Sequence, residues 1–313
     1  MLNCSPQSDP ALVAVLGATA TGKTDAAIMI AREFDGEVVS IDSRYLYRGL
    51  DIGTAKPTPE EQTNVPHHLI DILDPWEDYS LALFQRDAFA AVDEILRRQR
   101  LPVLAGGSPL YVRAVLEGWR IPEAPPDPAF RGEMQAFADE YGSEALHERL
   151  QEIDPVAADR TPSQNVRRVI RALEIHHQTG QRMSDLEGKE PPPWDILKIG
   201  LHIERELLFQ RIDRRVDQMI DHGLVEEVRG LLEAGVPPDC TAMRSIGYQE
   251  VVPFLQGECG REEMIERIKF STHRYVRHQL TWLKKTPGID WIDALQDDLE
   301  AEIRRKIENH IQR

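Results

Sequence analysis

At residues 17–24 the chain reads Gly17-Ala18-Thr19-Ala20-Thr21-Gly22-Lys23-Thr24, which fits the phosphate-binding pattern G-x-x-x-x-G-K-[ST]. An apolar run over residues 11–16 precedes it, and residues 25–34 are typical of a helix. In this strand-loop-helix context, backbone N–H groups, a helix N-terminus worth about half a positive charge and a lysine converge on phosphate. We expect all eight residues to bind phosphate, with the Thr24 hydroxyl holding Mg²⁺, and the pattern leaves the identity of the phosphate compound open.

The alternation of strand and helix continues along the chain. Apolar runs at 37–41, 68–72, 102–105, 196–203 and 289–292 read as strands. Helical periodicity marks residues 80–100, 109–117, 204–222, 224–234 and 261–285. This order predicts an α/β fold, a P-loop NTPase-like parallel sheet flanked by helices.

Two proline-rich segments interrupt this pattern, at residues 121–128 and 187–194. Prolines cannot continue a helix or a central strand, so each segment is a candidate boundary. Between them every element reads as a helix. We therefore expect a first core part at 1–120, an inserted all-helical domain at 121–195, and completion of the core at 196–313.

Composition narrows the class of protein. No apolar run reaches the length of a membrane span, the start lacks a secretory pattern, and the three cysteines form no CxxC pair. We expect a cytoplasmic protein that is monomeric and has no membrane partner. The net charge of −16 is unusual for a nucleic-acid binder, but basic residues cluster at 160–182 and 267–285. Solvated helix faces are the alternative interpretation of both clusters.

One apolar strand ends in an acid. Residues 38–41 run into Asp42, and the ends of parallel strands line the edge that carries the phosphate loop. Asp42 should therefore face the bound phosphates. From its position alone it could coordinate Mg²⁺ through water, accept a proton from a nucleophile, or cap a helix.

Two other functions fit the phosphate loop. A small-molecule or nucleotide kinase would consume ATP, although the strand at 101–105 ends in glycines instead of a metal-binding acid. An RNA-binding module would use the loop only to sense a nucleotide and would leave the RNA unchanged. Two histidine pairs, 67–68 and 176–177, receive no metal site, since adjacent side chains point apart on a strand or helix.

Further motifs occur in a specific order. They are the phosphate loop, Asp42-Ser43-Arg44-Tyr45-Leu46-Tyr47, Asp51-Ile-Gly-Thr-Ala-Lys-Pro57, Pro66-His-His-Leu-Ile-Asp71 and Gly106-Gly107-Ser108-Pro-Leu-Tyr111. Later segments are Arg167-Arg168-Val169-Ile170-Arg171-Ala-Leu-Glu174, Arg211-Ile-Asp-Arg-Arg215-Val-Asp-Gln-Met219 and Arg244-Ser245-Ile246-Gly247-Tyr248. In order and spacing they resemble the tRNA dimethylallyltransferase (isopentenyltransferase, IPP transferase) family over nearly the whole chain.

The resemblance implies transfer of a dimethylallyl group from its diphosphate to N6 of adenosine 37, in tRNAs that read codons beginning with U. By this resemblance the phosphate loop, residues 17–24, binds the diphosphate, which is the leaving group of the reaction, and Mg²⁺ is the cofactor. The family pattern implies catalytic roles for Lys23, Asp42 as general base, Ser108 and Arg215. Arg215 also binds the diphosphate, and Arg211, one helical turn earlier, is a second candidate. Ser108 replaces the usual Thr.

The resemblance also implies contacts to the anticodon arm. Tyr45 stands where the family often has Gln, and an aromatic ring could stack on a base. The basic helix with Arg274 and Arg277 would extend the contact. The remaining candidates for tRNA binding are Asp42, Ser43, Arg44, Ser108, Arg131, Arg167, Arg168, Val169, Ile170, Arg171, Arg244, Ser245, Ile246, Gly247, Tyr248 and Gln249.

Overall fold

The computed structural model describes residues 9–312 and divides into two compact units. The sheet unit comprises the chain up to Val112 together with the chain from Pro193, and the helical unit comprises Arg113–Pro192. Cys4 lies outside the described residues, and Cys240 and Cys259 are free thiols. Within residues 9–312, every helix is too short or too polar to cross a membrane.

Within residues 9–312, eight strands form two sheets. In chain order the strands are β1 (Ala11–Gly17), β2 (Gly36–Ser40), β3 (His67–His68), β4 (Leu101–Gly106), β5 (Trp119–Arg120), β6 (Gly188–Lys189), β7 (Asp195–His202) and β8 (Ile289–Asp293). The sheet unit holds six of them in the order β3-β2-β4-β1-β7-β8, and all neighbours are parallel. The predicted α/β class is confirmed.

Fourteen helices complete the described chain. They are α1 (Lys23–Glu33), α2 (Pro59–Asn64), α3 (Leu81–Arg97), α4 (Pro109–Leu116), α5 (Pro128–Tyr141), α6 (Ser143–Ile153), α7 (Pro155–Arg160), α8 (Val166–Thr179), α9 (Met183–Leu186), α10 (Arg205–Asp221), α11 (Leu224–Glu233), α12 (Tyr248–Leu255), α13 (Arg261–Leu283) and α14 (Leu299–Ile311).

The core of the sheet unit is built on β1, whose residues 12–16 are fully buried. Apolar side chains of α1 and α14 pack with those of β1, β4 and β7 in one cluster. Strands buried in this way read as continuous apolar runs, which is why the sequence shows them clearly.

Two predictions of secondary structure differ from the structure. The strand expected at 68–72 ends at His68 because Leu69 and Asp71 adopt positive φ angles of 62° and 55°, which extended backbone does not allow. The domain expected to be all-helical at 121–195 contains one short strand, β6. It pairs antiparallel with β5, which lies just before residue 121, so that Lys189 pairs with Trp119 and Gly188 with Arg120.

The helical unit has its own core, formed by residues of α5, α6, α7 and α8. Glu174 of α8 is fully buried beside it and accepts hydrogen bonds from Arg131 at 2.7 and 2.8 Å, from Arg171 at 2.6 Å and from the Asp127 amide at 2.7 Å. The two arginines compensate the negative charge of the Glu174 carboxylate. Burying that charge without a partner would cost several kcal/mol of folding free energy. This ion cluster fixes the start of α5 to α8.

The parallel order brings three strand ends to one edge. β1 ends at Gly17, β4 ends at Gly106, and β2 ends at Ser40, two residues before Asp42. β4 lies between the other two strands and pairs with both. Residues that are far apart in the chain therefore meet where the phosphate loop begins.

Candidate functional site

The phosphate loop is held by its own hydrogen bonds. The Thr21 hydroxyl donates to the Ala18 carbonyl at 2.9 Å, and Gly22 adopts φ 87° immediately before α1. A Cβ on Gly17 would lie 2.6 Å from the Thr21 hydroxyl oxygen and 2.8 Å from the Leu201 carbonyl oxygen. Only glycine therefore fits at position 17, and the positive φ favours glycine at position 22.

Lys23 is the buried cation of the loop. Its Nζ donates to the Ala18 carbonyl at 2.7 Å. Burial lowers the pKa of Lys23 to about 8, the nearby Asp42 carboxylate opposes this shift, and the Arg215 guanidinium adds to it. A buried amine with one backbone acceptor still has two hydrogens to donate, so an anion in front of it would gain charge-assisted hydrogen bonds.

Asp42 faces the same cavity. Its Oδ1 accepts from the Arg44 amide at 2.9 Å, a turn-forming contact two residues on, and no helix begins there. Burial raises the pKa of Asp42, whereas the Arg44 amide, Lys23, and the Arg44 and Arg215 guanidinium groups lower it. A carboxylate with a raised pKa is a stronger base than an exposed one.

Arg215 lies on α10 and lines the same cavity. Its Nε is buried and has no hydrogen-bond partner among the described residues, so this donor is available to an anion. Arg211, one turn earlier, is exposed, and its Nε donates to the Ala20 carbonyl at 3.2 Å. The structure thus places Arg215 in the cavity and Arg211 against the outside of the phosphate loop.

Tyr45 also lines a cavity with Lys23, Asp42 and Arg215. Its hydroxyl donates to the Ala55 carbonyl at 2.8 Å, and burial raises the pKa of Tyr45 to about 12, an effect that the nearby Thr24 and Arg215 side chains oppose. The hydroxyl of Tyr45 is therefore held by the Ala55 carbonyl, and stacking of its ring on a base stays a prediction.

These groups enclose a cavity of about 260 Å³ within the sheet unit. Its lining comprises Thr19, Ala20, Gly22, Lys23, Thr24, Asp25, Ala27, Val38, Ser40, Asp42, Tyr45, Thr54, Ala55, Lys56, Pro57, Glu61, His67, Ile70, Ala105, Gly106 and Arg215. One side presents cations and backbone N–H groups, and Asp42 provides a carboxylate. The cavity can therefore bind a small polyanion beside a base.

Gln279 of α13 is the main residue that the sequence did not reveal. It is buried, its Oε1 accepts from the Thr19 amide at 3.0 Å, and its Nε2 donates to the Gly107 carbonyl at 2.7 Å. One side-chain amide thus joins the phosphate loop to the end of β4. Tyr275, one turn earlier, hydrogen-bonds with Ser108 and Gln279, and burial raises the pKa of Tyr275 to about 12. No local motif marks these two residues.

The segment Asp51–Pro57 forms part of the cavity wall, and Glu227 of α11 fixes it. The Glu227 carboxylate accepts from the Asp51, Ile52 and Gly53 amides at 3.1, 2.9 and 3.3 Å and from the Tyr248 hydroxyl at 2.5 Å. A Cβ on Gly53 would lie 2.4 Å from the Tyr248 ring. Gly53 and Tyr248, which belong to two distant sequence motifs, therefore pack directly against each other.

Lys56 anchors the same segment from inside. Its side chain is 2% exposed, and its Nζ donates to Asp71 at 2.5 Å, to Asp51 at 2.6 Å and to the Tyr47 carbonyl at 2.9 Å. With three acceptors, all three of its hydrogens are used. Lys56 therefore holds the wall and has no donor left for a ligand.

The residues expected to bind tRNA fall into two groups. Arg167, Arg168, Arg244 and Gln249 are exposed, and Ser43, Arg44 and Ile246 are partly exposed, with Arg44 donating to the Thr241 carbonyl at 2.8 Å. Arg274 and Arg277 are exposed on α13. These side chains are accessible to an RNA.

The second group is packed into the protein. Val169 and Ile170 lie in the core of the helical unit, and Ser245, Gly247 and Tyr248 are buried in the sheet unit. The side chains of Val169, Ile170, Ser245 and Tyr248 are therefore not accessible to tRNA, because each sequence motif contains the inner as well as the outer face of its element. Contact of these segments with tRNA through their backbone, Gly247 included, stays a prediction. Arg131 and Arg171, which are ion-paired with Glu174, and the buried Ser108 also have structural partners.

Comparison with known proteins adds an independent finding. The family model described as IPP transferase matches residues 45–286, and the one described as Isopentenyl transferase matches residues 10–71. A tRNA dimethylallyltransferase of Thermomicrobium roseum is 58% identical over 300 residues, which cover 96% of this chain and 91% of that protein. That of Roseiflexus castenholzii is 46% identical over 302 residues, covering 95% and 99%.

Solved structures agree with these sequence matches. The crystal structure of the full-length tRNA isopentenylpyrophosphate transferase from Bacillus halodurans matches with a TM-score of 0.71 and 42% identity, covering 96% of this chain and 98% of that one. A eukaryotic dimethylallyltransferase acting on tRNA matches with a TM-score of 0.81 and 29% identity, covering 96% and 79%.

The role of Gln279 can be tested by removing its polar atoms. Gln279→Met keeps the volume but loses both hydrogen bonds, which are worth about 1 kcal/mol each. We expect the affinity for inorganic pyrophosphate, measured by calorimetry, to fall about tenfold or more. His278→Met, at the exposed neighbouring position, is the control. Equal affinity in the two variants would show that the phosphate loop does not depend on Gln279.

Proposed function

The chain belongs to the IPP transferase family and is a tRNA dimethylallyltransferase, and on that premise we propose that it transfers the dimethylallyl group of dimethylallyl diphosphate to N6 of adenosine 37 in tRNA. The products are N6-isopentenyladenosine and diphosphate. The choice of tRNAs that read codons beginning with U follows the family pattern.

One observation carries the assignment of the reacting groups. Lys23, Arg215 and Asp42 line one cavity. The two cations lower the pKa of Asp42, whereas Asp42 raises the pKa of Lys23 and Arg215 lowers it. Two cations and a phosphate loop beside a buried carboxylate suit a reaction in which an anion departs while a proton is removed.

The reaction follows from these positions. The lone pair of the adenine N6 attacks C1 of the dimethylallyl group, and the bond between C1 and the diphosphate oxygen breaks. The electron pair of that bond leaves with the diphosphate, where Lys23, Arg215 and the loop amides stabilise the added negative charge. The N6 proton passes to the Asp42 carboxylate. Because the amine lone pair is delocalised into the ring, this base assists the attack.

Mg²⁺ is the proposed cofactor. Thr24 presents a hydroxyl to the cavity at the start of α1. Hard oxygen donors and substrate phosphates are the ligands that Mg²⁺ prefers. When bound, Mg²⁺ would neutralise part of the charge on the diphosphate.

Exposed arginines support binding of the anticodon arm. Arg167 and Arg168 lie in the first turn of α8, where the helix N-terminus also favours phosphate. We propose that they hold the RNA backbone and that Arg274 and Arg277 extend the contact on the sheet unit. The helical unit is thus the proposed tRNA-binding domain. A monomer in the cytoplasm is the proposed working form, and the free Cys240 and Cys259 suit a reducing compartment.

The decisive assay incubates the purified protein with Mg²⁺, dimethylallyl diphosphate and unmodified tRNA, followed by mass spectrometry of the nucleosides. We expect N6-isopentenyladenosine to form at position 37 without ATP, and a tRNA with guanosine at position 37 to stay unmodified. Product formation that required ATP, or tRNA binding without any product, would contradict the proposal.

The division of labour between Asp42 and Lys23 gives a second prediction. Asp42→Asn removes the base and should lower turnover about 100- to 10,000-fold. Pyrophosphate should bind as tightly as before or more tightly, because a nearby negative charge is removed. Lys23→Ala should instead abolish pyrophosphate binding in the same calorimetric titration. Full turnover by Asp42→Asn would remove Asp42 from the mechanism.

Charge reversal tests the proposed RNA-binding surface. The double variant Arg167→Glu/Arg168→Glu should weaken tRNA binding and reduce the slope of log affinity against log salt by about one for each phosphate that the protein no longer binds. Arg304→Glu/Arg305→Glu on α14 changes the net charge equally and is the control. Equal weakening in both variants would mean that only net charge matters, and unchanged binding in both would place the RNA-binding surface elsewhere.

A further inference from the structure

Two buried polar atoms in the diphosphate cavity have no role in the chemistry described above. They are the Ser40 Oγ and the His67 Nε2, and neither has a hydrogen-bond partner among the described residues. Ser40 is 3% exposed. Buried polar atoms normally have partners, so two such atoms lining one ligand cavity indicate that the ligand supplies them.

The sheet explains why both atoms point the same way. β2 and β3 are parallel, and Val38 pairs with His67. Side chains alternate along a strand, so Ser40, two residues after Val38, lies on the same face as His67. Glu37 and His68 lie on the other face, where His68 Nε2 contacts the Glu37 carboxylate at 2.6 Å. The His67 and His68 rings therefore lie on opposite faces of the sheet.

His67 can only accept a hydrogen bond at Nε2. Its Nδ1 lies 2.7 Å from the Val65 carbonyl, an acceptor, so the ring hydrogen sits on Nδ1. Burial also lowers the pKa of His67, which favours the neutral ring. A lone pair at Nε2 repels a phosphate oxygen. A group with hydrogens must lie between the ring and the diphosphate.

Two neighbouring carboxylates also need a group between them and the diphosphate. Asp25 and Glu61 line the cavity as well, and they are close enough that Glu61 raises the pKa of Asp25, after the larger effect of burial. This wall, which we call the acceptor wall, comprises Asp25, Ser40, Glu61 and His67. It would face a diphosphate with two carboxylates and a lone pair, which is favourable only if a cation with bound water lies between them.

We propose that the acceptor wall binds the water shell of a divalent cation that the diphosphate brings into the cavity, with Ser40 and His67 as hydrogen-bond partners of its waters. This inference rests on the proposed function and assigns residues beyond the Thr24 hydroxyl. Mg²⁺ keeps several waters and is held by few protein ligands together with substrate phosphates.

Linkage between Mg²⁺ and pyrophosphate provides the test. The affinity for inorganic pyrophosphate is measured by calorimetry with and without Mg²⁺ in the unchanged protein, Ser40→Ala, His67→Leu and His67→Gln. His202→Leu, at an exposed histidine at the end of β7, is the matched control. We expect Ser40→Ala and His67→Leu each to reduce the gain in affinity from Mg²⁺ about three- to tenfold, as for the loss of one hydrogen bond, and to leave metal-free binding unchanged.

His67→Gln is the rescue variant, because its amide oxygen can take the place of the Nε2 acceptor. It should recover most of the Mg²⁺ effect. With Mn²⁺ in place of Mg²⁺, the electron paramagnetic resonance spectrum in the presence of pyrophosphate should change in Ser40→Ala and His67→Leu but not in the His202→Leu control.

The inference is overturned if both variants keep the full Mg²⁺ effect, or if they lose metal-free binding to the same extent, which would indicate a general defect of the cavity. It also fails if Mg²⁺ does not strengthen pyrophosphate binding to the unchanged protein. Those results leave the proposed function intact as long as N6-isopentenyladenosine is formed. Absence of that product, with normal Mg²⁺-dependent pyrophosphate binding, would refute the proposed function alone.

Discussion

The site depends on a lysine and a carboxylate that line one cavity, Lys23 and Asp42. Lys23 and Asp42 both lose water on burial, which lowers the pKa of the lysine and raises that of the acid, and each opposes the shift of the other. A diphosphate would supply Lys23 with negative charge, and its departure as an anion would be favoured by the same cation. Asp42 is then left as the group that takes a proton.

This pair needs a rigid frame, which three distant parts of the chain provide. The strand ends at Gly17 and Gly106 fix the edge, and Gln279 joins the phosphate loop to the end of β4 across 260 residues of sequence. Glu227 and Lys56 hold the segment Asp51–Pro57, which forms part of the cavity wall. Loops held in this way change little when a ligand binds, and a preorganised site stabilises charge without reorganisation.

Local pattern predicts some of this and not the rest. The phosphate loop and Asp42 can be found because spacing and strand order place them at one edge, and Arg215 is implied by the resemblance to the family. Gln279 and Glu227 cannot, since their bonds join segments with no shared motif. Val169 and Tyr248 are buried, contrary to expectation, because a motif does not separate the buried face of a helix from the exposed one. The strand expected at 68–72 is too long because positive φ at Leu69 and Asp71 has no clear sequence signal.

The most direct measurement is a crystal structure of the protein with an unreactive thio analogue of dimethylallyl diphosphate and an anticodon stem-loop that carries adenosine 37. The account predicts the diphosphate within hydrogen-bond distance of Lys23 Nζ and the loop amides, and the adenine N6 about 3 Å from the Asp42 carboxylate. A diphosphate bound away from Lys23, or an adenine whose N6 lies on the far side of the cavity from Asp42, would contradict it.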